Sequence, residues 1–308
     1  MRLGFMGSPP FAAPVLESIA ASSHEIVLLV TPPDRPRGRG RKSAPSELAE
    51  RALSLGAAVL QPETTKTPEF AAAVAAHEPD VLVVASYGEI LREDILGLAP
   101  HGALNVHASL LPRWRGASPI QAAILAGDAE TGVSVQRMVL ALDEGDVLLA
   151  RSTPIDADET AGELLARLAL LGGEAAVAAL DAIEAGEATY TTQSVDDATF
   201  ARKLTKDHGL LDWTEPAEDL ARRIRAVTPW PGARTHLAGG KPLGILRARV
   251  TQDSGAPGTL LAHKGAPLVA CGTGALELTE VKPAGKGAMD GAAFQNGARL
   301  EPGTKLGS

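Results

Sequence analysis

Two side chains with complementary hydrogen-bonding chemistry lie two positions apart in the sequence Asn105-Val106-His107. On an extended segment, residues i and i+2 point to the same face, so the amide and the imidazole would lie side by side. Both groups can donate hydrogen bonds, and two donors aimed at one oxygen are what an oxyanion hole for acyl or formyl transfer requires. The spacing therefore predicts a site that stabilises negative charge on a carbonyl oxygen.

A carboxylate that could complete this site is Asp143, in the sequence LDEGD after a strand predicted to end near Val139. A carboxylate there could reach His107, hold the orientation of its ring and favour its charged form. Each residue also has a simpler explanation. A histidine at the end of a strand is often structural, an asparagine before a turn often supports the turn, and this aspartate could be solvated or capping. Only the three together predict catalysis.

The elements that must position these residues alternate between strand and helix patterns over the first two thirds of the chain. Short apolar runs bounded by Gly, Pro or polar residues predict strands at Arg2–Gly7, Glu25–Thr31, Ala57–Leu60, Asp80–Ala85, Ala103–His107 and Gly132–Val139. Helices are predicted at Pro14–Ala21, Pro45–Leu55, Pro68–His77, Pro119–Ala126 and Ala161–Ala185. This alternation predicts an α/β, Rossmann-like fold with a doubly wound, mostly parallel sheet. Ligands bind such sheets outside the carboxyl ends of the strands, which is where Asn105 and His107 fall.

The pattern changes after residue 189. Residues 190–205 are polar and have no clear period, which predicts a linker between a catalytic domain of residues 1–189 and a second domain of residues 206–308. The second domain contains one predicted helix at Pro216–Ala226. Its short alternating runs predict a small β-barrel, with strands at Leu243–Val250, Gly258–Leu261, Leu268–Cys271 and Ala275–Val281.

The composition is that of an ordinary globular protein, with 45% hydrophobic and 21% charged residues among 308. The single cysteine, Cys271, excludes an internal disulfide and offers no cysteine cluster for zinc, so we expect no metal. Glycine and prolines interrupt the N-terminal sequence before a secretory apolar region can form. The apolar stretch Leu164–Ile183 contains Arg167, Glu174 and Asp181, and such charges are costly inside a bilayer. We therefore expect a cytoplasmic protein that does not enter a membrane.

Charge is unevenly distributed along the chain. Residues 1–205 carry 16 basic and 27 acidic side chains, a net charge of −11, whereas residues 206–308 carry 13 and 10, a net charge of +3. This asymmetry, together with the cluster Arg222-Arg223-Arg225, would suit an anionic partner for the C-terminal part. Chance, and a solvated helix face, explain the two observations equally well.

A second basic feature is a loop with five positive charges within eight residues, interleaved with glycines. The five are Arg35, Arg37, Arg39, Arg41 and Lys42. A flexible cationic loop is suited to clamping phosphates or a single-stranded end of a nucleic acid. Taken alone, it could also be a solvated surface loop, but its place after the second predicted strand favours a function.

The string NVHASLLPRWRGASPI at Asn105–Ile120, with LDEGD downstream, resembles the folate-dependent formyltransferases. The match is long and ordered, and further segments support it along residues 2 to 290. These segments are GSP at 7–9, PDRPRGRGRK at 33–42, ASYGEIL at 85–91, TPWPG at 228–232 and PAGK at 283–286.

The resemblance implies that 10-formyltetrahydrofolate is the co-substrate and that Asn105, His107 and Asp143 are the catalytic residues. It implies a folate pocket lined by Ser109, Leu110, Leu111, Pro112, Tyr87, Gly88, Ile90 and Leu91. Within the family, the basic loop and a C-terminal barrel resembling an OB-fold are typical of members that formylate the α-amine of methionyl initiator tRNA. In those members the basic loop contacts the acceptor stem, and the protein is a monomer.

The sequence is also compatible with other classes of protein. Formyltransferases that act on nucleotide sugars or on glycinamide ribonucleotide share the NVH string, as do hydrolases of formylfolate. A dinucleotide-dependent oxidoreductase is disfavoured, because the first strand is followed by GFMGSPPF and not by the glycine pattern of dinucleotide-binding sites. A non-enzymatic RNA-binding module would explain the basic segments but would leave Asn105, His107 and Asp143 without a role.

Overall fold

The computed structural model describes residues 1–34, 46–237 and 239–307. The residues predicted to contact tRNA, namely Arg35, Arg37, Arg39, Arg41 and Lys42, lie outside the described residues. The chain divides into two compact units. The first comprises Met1–Pro119, Glu130–Pro154 and Leu165–Ala201, and the second comprises Ile120–Ala129, Ile155–Leu164 and Arg202–Ser308. Residues 190–201, which the sequence analysis assigned to a linker, are thus part of the first unit.

The elements up to residue 201 follow the predicted alternation of strand and helix. In chain order they are β1 (Arg2–Gly7), α1 (Ala12–Ala20), β2 (Glu25–Val30), α2 (Glu47–Ser54), β3 (Ala58–Leu60), α3 (Pro68–Ala75), β4 (Val81–Ala85), α4 (Glu93–Leu96), β5 (Ala103–His107), β6 (Arg115–Gly116), α5 (Pro119–Ala126), β7 (Glu130–Arg137), β8 (Val147–Pro154), α6 (Ala161–Glu184) and β9 (Phe200–Ala201). Every strand and helix predicted in this region is present, with bounds within two residues of the prediction. Strand β8 and the short elements α4, β6 and β9 were not predicted.

A seven-stranded sheet forms the centre of the first unit, in the order β3-β2-β1-β4-β5-β7-β8. The neighbours from β3 to β5 are parallel, whereas β7 and β8 are added antiparallel at one edge. The prediction of a mostly parallel sheet is therefore confirmed. The parallel strands read as continuous apolar runs because both of their faces are covered, and β4 is buried along its whole length.

The position of β5 in this sheet determines the surroundings of the residues predicted to be catalytic. Strand β5 lies between parallel β4 and antiparallel β7. In the β5–β7 register, Asn105 is paired with Gln136 and His107 with Ser134. Both partners are buried polar residues, with exposures of 1% and 0%, at a place where apolar side chains would be expected. Buried polar groups in such a position need hydrogen-bond partners, which the site supplies.

In the part of the second unit that follows residue 202, an antiparallel sheet is accompanied by two α-helices. After a short 3-10 helix at Lys206–Gly209, its elements are α7 (Ala217–Ala226), β10 (Ala233–His236), β11 (Pro242–Thr251), β12 (Leu268–Ala270), β13 (Ala275–Pro283), β14 (Met289–Asp290) and α8 (Gly291–Ala298). The strand order is β10-β11-β13-β12, with β14 on β13, and all pairs are antiparallel. A core that includes Trp213, Leu220, Ile224 and Leu276 packs between α7 and this sheet.

One predicted strand of the second unit is absent from the described residues. The segment Gly258–Leu261 forms only isolated bridges, of Thr259 with Lys305 and of Leu260 with Val269. Gly258 has a φ of +80°, which breaks the extended path at the first predicted position. The prediction of a strand there was therefore wrong. Among the described helices, none combines the length and the apolarity needed to cross a membrane.

Candidate active site

The structure brings the three predicted catalytic residues together. Asn105 and His107 lie at the carboxyl end of β5, and Asp143 lies in the turn that follows β7. Asn105 Nδ2 donates to Asp143 Oδ1 at 3.2 Å, and His107 Nδ1 lies 3.7 Å from the same oxygen. The side chains of His107 and Asp143 are only 7% and 10% exposed. The i, i+2 spacing on an extended segment predicted that the amide and the imidazole share one face, and in the structure both lie against the same carboxylate.

Further donors fix the Asp143 carboxylate. Gln136 Nε2 donates to Oδ1 at 2.9 Å, and the main-chain N–H of Gly116 donates to Oδ2 at 2.8 Å. These groups only donate at the contacting atom, which matches an ionised carboxylate that only accepts. Asp143 has a φ of +54°, in the left-handed region that aspartate and asparagine tolerate better than most residues. The backbone and the hydrogen bonds together specify one orientation of this carboxylate.

The second nitrogen of His107 has a partner that the sequence did not indicate. His107 Nε2 lies 3.0 Å from the main-chain oxygen of Trp114, and because a carbonyl only accepts, Nε2 must carry the proton. Trp114 has a φ of +62°, and its main-chain N–H donates to Thr199 Oγ1 at 2.9 Å. The Arg113 guanidinium stacks over the Trp114 ring at 4.4 Å. The Nε2–H of His107 thus points at a main-chain oxygen in this structure.

A cavity of about 80 Å³ adjoins Asp143. Its lining residues are Glu89, Ile90, Leu91, Gln136, Met138, Val139, Leu140, Ala141, Leu142, Asp143, Glu144 and Gly145. Two residues of the predicted folate pocket, Ile90 and Leu91, are in this set, whereas Tyr87, Gly88 and the segment Ser109–Pro112 are not. Tyr87 is packed in the core beside β4, and burial, reinforced by Glu89, raises its pKa to about 12. Its phenol therefore stays protonated at neutral pH.

The rim of this cavity is an exposed apolar surface. Ile90 is 70% exposed, and Val139, Leu140 and Leu142 are also exposed. Large apolar side chains that cluster on a surface beside polar groups are typical of a ligand site. The sequence signal was the apolar run Met138–Leu142 immediately before Asp143. That run was partly assigned to a strand, but β7 ends at Arg137 and the run forms the loop beyond it.

The segment Ser109–Pro112 is anchored from β7 by a residue that the sequence analysis missed. Ser134 Oγ accepts from Leu111 N at 3.0 Å and donates to the main-chain oxygen of Ser109 at 2.8 Å. Ser109 is fully buried, and its Oγ donates to the main-chain oxygen of Arg113 at 2.6 Å. A Cβ on Gly132 would lie 2.6 Å from Leu110 Cδ2, so this glycine admits the Leu110 side chain. Strand β7 therefore fixes the path of the whole segment.

We expect Ser134→Ala to lower the free energy of unfolding by about 1–3 kcal/mol, because it leaves the part-buried Leu111 N–H and the buried Ser109 carbonyl without their partner. Urea denaturation measures this change. Ser18→Ala is the matched control, since Ser18 Oγ makes only an additional bond to Pro14 O within helix α1; its effect should stay within about 0.5 kcal/mol. Equal stabilities of the two variants would contradict the anchoring role of Ser134.

One group of side chains in the described part of the chain has the composition of a metal site, and it does not include the residues predicted to be catalytic. His24, Asp181 and Glu184 bring ligand atoms within 4.8 Å of one another. His24 Nε2 already contacts Asp181 Oδ1 at 3.1 Å, and Glu184 pairs with the terminal amine of Met1 at 2.9 Å. The three side chains therefore already have partners, and their contacts join α6 to His24 and to the terminal amine of Met1.

The arginines of helix α7, which the sequence singled out as a basic cluster, interact within their own unit. Arg222 pairs with Asp219, and Arg223 pairs with Glu215 at 3.0 Å. Arg225 donates to the main-chain oxygen of Glu159 at 3.2 Å, and burial lowers its pKa. These contacts favour a structural role for the cluster.

Two family models match the chain. The model for formyl transferase matches residues 1–180, and the model for the formyl transferase C-terminal domain matches residues 203–299. Among solved structures, an N-formyltransferase from Helicobacter canadensis with folinic acid and dTDP-3-aminofucose has a TM-score of 0.65 at 14% identity, covering 90% of this chain and 98% of that one. HypX from Aquifex aeolicus with tetrahydrofolic acid has a TM-score of 0.64 at 19% identity, covering 96% of this chain and 47% of that one. At these identities the structures show a shared fold.

Relatives found by sequence have a higher identity to this chain than these solved structures have. The chain is 49% identical over 312 residues to a methionyl-tRNA formyltransferase from Thiobacillus denitrificans, with all of both chains covered. It is 47% identical over 310 residues to the protein of the same name from Methylobacterium sp., with 99% of each chain covered. From the family models and from relatives of this similarity over the full length, we conclude that the chain belongs to the formyl transferase family.

Proposed function

We propose that this protein transfers the formyl group of 10-formyltetrahydrofolate to the α-amine of methionine esterified to initiator tRNA. The observation that carries the proposal is the convergence of Asn105 and His107 on the Asp143 carboxylate at the end of β5. The acceptor is inferred from the full-length similarity to methionyl-tRNA formyltransferases. The product would be the formylmethionyl-tRNA that starts translation.

In the proposed mechanism, the neutral amine attacks the formyl carbon. An α-amine titrates near pH ~8 in simple models, and an adjacent ester lowers that value, so the nucleophile needs little activation. Negative charge then develops on the formyl oxygen. The second N–H of the Asn105 amide stabilises it, and so does His107 Nε2–H, which exchanges the Trp114 carbonyl for the formyl oxygen. In this step the Trp114 carbonyl, which accepts the hydrogen bond from Nε2–H in the free protein, is replaced by the more negatively charged formyl oxygen.

Asp143 completes the mechanism through its neighbours. Its carboxylate takes one N–H of Asn105 and lies beside His107 Nδ1, so it orients the amide and stabilises a charged imidazole. The new C–N bond forms as the bond from the formyl carbon to the folate nitrogen breaks. The attacking amine loses one proton and the leaving nitrogen gains one, and an ordered water held by His107 and Asp143 relays it.

For the folate pocket, we keep the residues implied by the family resemblance and add the exposed apolar residues of the loop after β7. Ile90, Leu91, Val139, Leu140 and Leu142 offer an apolar surface next to Asp143, suited to the flat pterin ring. Ser109–Pro112, held by β7, would form the opposing wall, and Tyr87 and Gly88 would shape the backbone of the Ile90 loop. The pocket needs no metal in this scheme.

For the tRNA, we assign the acceptor-stem contact to the basic loop and the backbone contact to a barrel resembling an OB-fold in the second unit. We further propose that the protein acts as a monomer in the cytoplasm, where both substrates occur. The α7 arginines are left out of the tRNA site, because Arg222, Arg223 and Arg225 have partners within their own unit.

We expect the double substitution Arg41→Ala and Lys42→Ala to raise the KM for methionyl-tRNA and to leave the KM for folate unchanged. Each lost phosphate contact should reduce the slope of log affinity against log salt by about 1, so the slope should fall by about 2. Steady-state kinetics at several salt concentrations measure both quantities. Arg51→Ala, which removes an exposed cation paired with Glu17, is the control and should change neither. A raised KM for folate instead would contradict this assignment.

The experiment that tests the proposed function is incubation of the protein with 10-formyltetrahydrofolate and methionyl initiator tRNA, followed by detection of formylmethionine. Parallel reactions contain a nucleotide-sugar amine or glycinamide ribonucleotide. The result we expect is formylation of methionyl-tRNA alone. Formylation of a sugar amine alone would replace the acceptor while keeping the chemistry, and release of formate without any acceptor would indicate a hydrolase.

A further inference from the structure

Gln193 lies in the polar segment between α6 and β9, but its side chain is only 8% exposed. Its Nε2 donates to the main-chain oxygens of Gly145 and Asp143, at 2.6 and 2.8 Å. The same nitrogen lies 3.2 Å from Gln136 Oε1. One buried amide therefore binds both ends of the Asp143–Gly145 turn from outside the sheet.

The orientation of this amide is fixed by Arg115. Arg115 Nε donates to Gln193 Oε1 at 3.1 Å, and a guanidinium has no acceptor, so the oxygen of Gln193 must face it. The Gln193 nitrogen must then face the carbonyls of the turn and the oxygen of Gln136. The two protons of this nitrogen are donated to the turn carbonyls, and the longer contact with Gln136 Oε1 shares one of them. Because the Asp143 carboxylate only accepts, Gln136 has to present its own nitrogen to Oδ1, as observed at 2.9 Å. The chain Arg115, Gln193, Gln136 and Asp143 thus has a single consistent direction of donation.

The segment that carries Gln193 is held on both sides. Thr191 exchanges two main-chain hydrogen bonds with Val147, just beyond the Asp143 turn. Thr199 O accepts from Arg115 N at 2.9 Å, and strand β9 pairs with β6 in the loop that supplies the Gly116 N–H to Asp143. Gly145 has no room for a side chain, because a Cβ there would overlap the carbonyl of Arg137. The turn therefore packs closely against β7 on one side and against the segment that carries Gln193 on the other.

From this geometry we propose that Gln193 is a positioning residue for formyl transfer: it sets the place of the Asp143 turn and the orientation of the Gln136 amide. This inference rests on the proposed function, because it assigns the carboxylate of Asp143 to that reaction. Gln193 does not contact the reacting atoms. Its effect reaches them through Asp143, and a displacement of a reacting group by about 1 Å can cost about 100-fold in rate.

The test compares Gln193→Glu with the wild type. Glutamate keeps the shape and the acceptor for Arg115, but it replaces the donating nitrogen by an oxygen that faces the carbonyls of Asp143 and Gly145. We expect kcat to fall between about tenfold and 100-fold, with the KM for either substrate within about twofold. The matched control is Gln295→Glu, since Gln295 Nε2 donates to the main-chain oxygen of Leu300 in the second unit. It should leave kcat unchanged.

A role through Asp143 also predicts non-additivity. In an Asp143→Asn background, Gln193→Glu should lower kcat by less than twofold, because the group it positions is already disabled. A merely structural glutamine would lower the melting temperature and leave kcat in the wild-type background intact. If Gln193→Glu does not fold, Gln193→Met, which has similar volume and no charge, takes its place.

A crystal structure of Gln193→Met gives a readout that does not depend on activity. We expect the Asp143 Oδ1–Asn105 Nδ2 distance, 3.2 Å here, to lengthen beyond hydrogen-bonding range. An unmoved carboxylate, or unchanged kcat in a folded Gln193 variant, would overturn the inference. Absence of formyl transfer by the wild-type protein to any amine would instead count against the proposed function, and the crystal structure would still decide the role of Gln193.

Discussion

The His107→Ala variant is expected to lose about 100- to 1,000-fold in kcat, the scale for removing a single oxyanion-hole donor. Asn105→Ala should have an effect of the same size. In the proposed mechanism, each substitution removes one of the two N–H groups that meet the developing charge on the formyl oxygen. Each also removes one neighbour of Asp143. Single-turnover rates at saturating concentrations of both substrates measure the chemical step.

Controls for this prediction exist in the same chain. His101→Ala and Asn296→Ala delete the same kinds of side chain at exposed positions, and both should keep wild-type turnover. Thermal melting establishes that the His107 and Asn105 variants are folded at the assay temperature. If either folded variant turned over within about threefold of the wild type, that residue would not belong to the catalytic group.

The part of the site that could be predicted from the sequence is the part set by local spacing. Asn105 and His107 are brought together by the two-residue period of β5, and the carboxyl end of a parallel strand is where ligands bind. Asp143 was singled out because it follows the strand predicted at Gly132–Val139, from where a carboxylate could reach His107. The pairing of Asn105 with His107 needs one strand and the general rule for open sheets, so no contact between distant segments had to be known.

The remainder depends on contacts between segments that are distant in sequence. Gln193 looks like a linker residue in TTQSVDD, and its burial follows only from packing against Arg115 and the Asp143 turn. Strand β8 escaped prediction because it is the edge strand and its exposure alternates, unlike the apolar runs of the parallel strands. The carbonyl of Trp114 is a main-chain group, and no side-chain pattern reports where it points.

The Asp143→Asn variant is expected to lose about 100- to 10,000-fold in kcat, the upper end being the loss seen when an aspartate that orients a catalytic histidine becomes an amide. In this protein the substitution is well matched to the backbone, because asparagine tolerates the φ of +54° at this position. The change is therefore confined to charge and hydrogen bonding. Alanine at this position would add backbone strain and obscure the cause.

The loss has a specific origin in the surroundings of the carboxylate. Oδ1 accepts from Asn105 and Gln136, and Oδ2 accepts from the Gly116 N–H. If the NH₂ of an asparagine takes the place of Oδ1, it faces the donors of Asn105 and Gln136. If it takes the place of Oδ2, it faces the Gly116 N–H. In both orientations two donors face each other. The substitution also removes the negative charge that lies 3.7 Å from His107 Nδ1. Without that charge, a positively charged imidazole is less stable during the proposed reaction.

Asp146→Asn is the matched control, since it makes the same change of charge three residues later in the same loop between β7 and β8. Its side chain lies outside the contacts that join Asn105, His107 and Gln136 to Asp143. We expect Asp146→Asn to turn over at close to the wild-type rate, measured in the same single-turnover assay. Equal losses in the two variants would mean that the net charge of the turn matters more than the placement of one carboxylate. A loss confined to Asp143→Asn requires that this carboxylate act through the contacts described, because the side-chain length and the change in charge are the same in both variants.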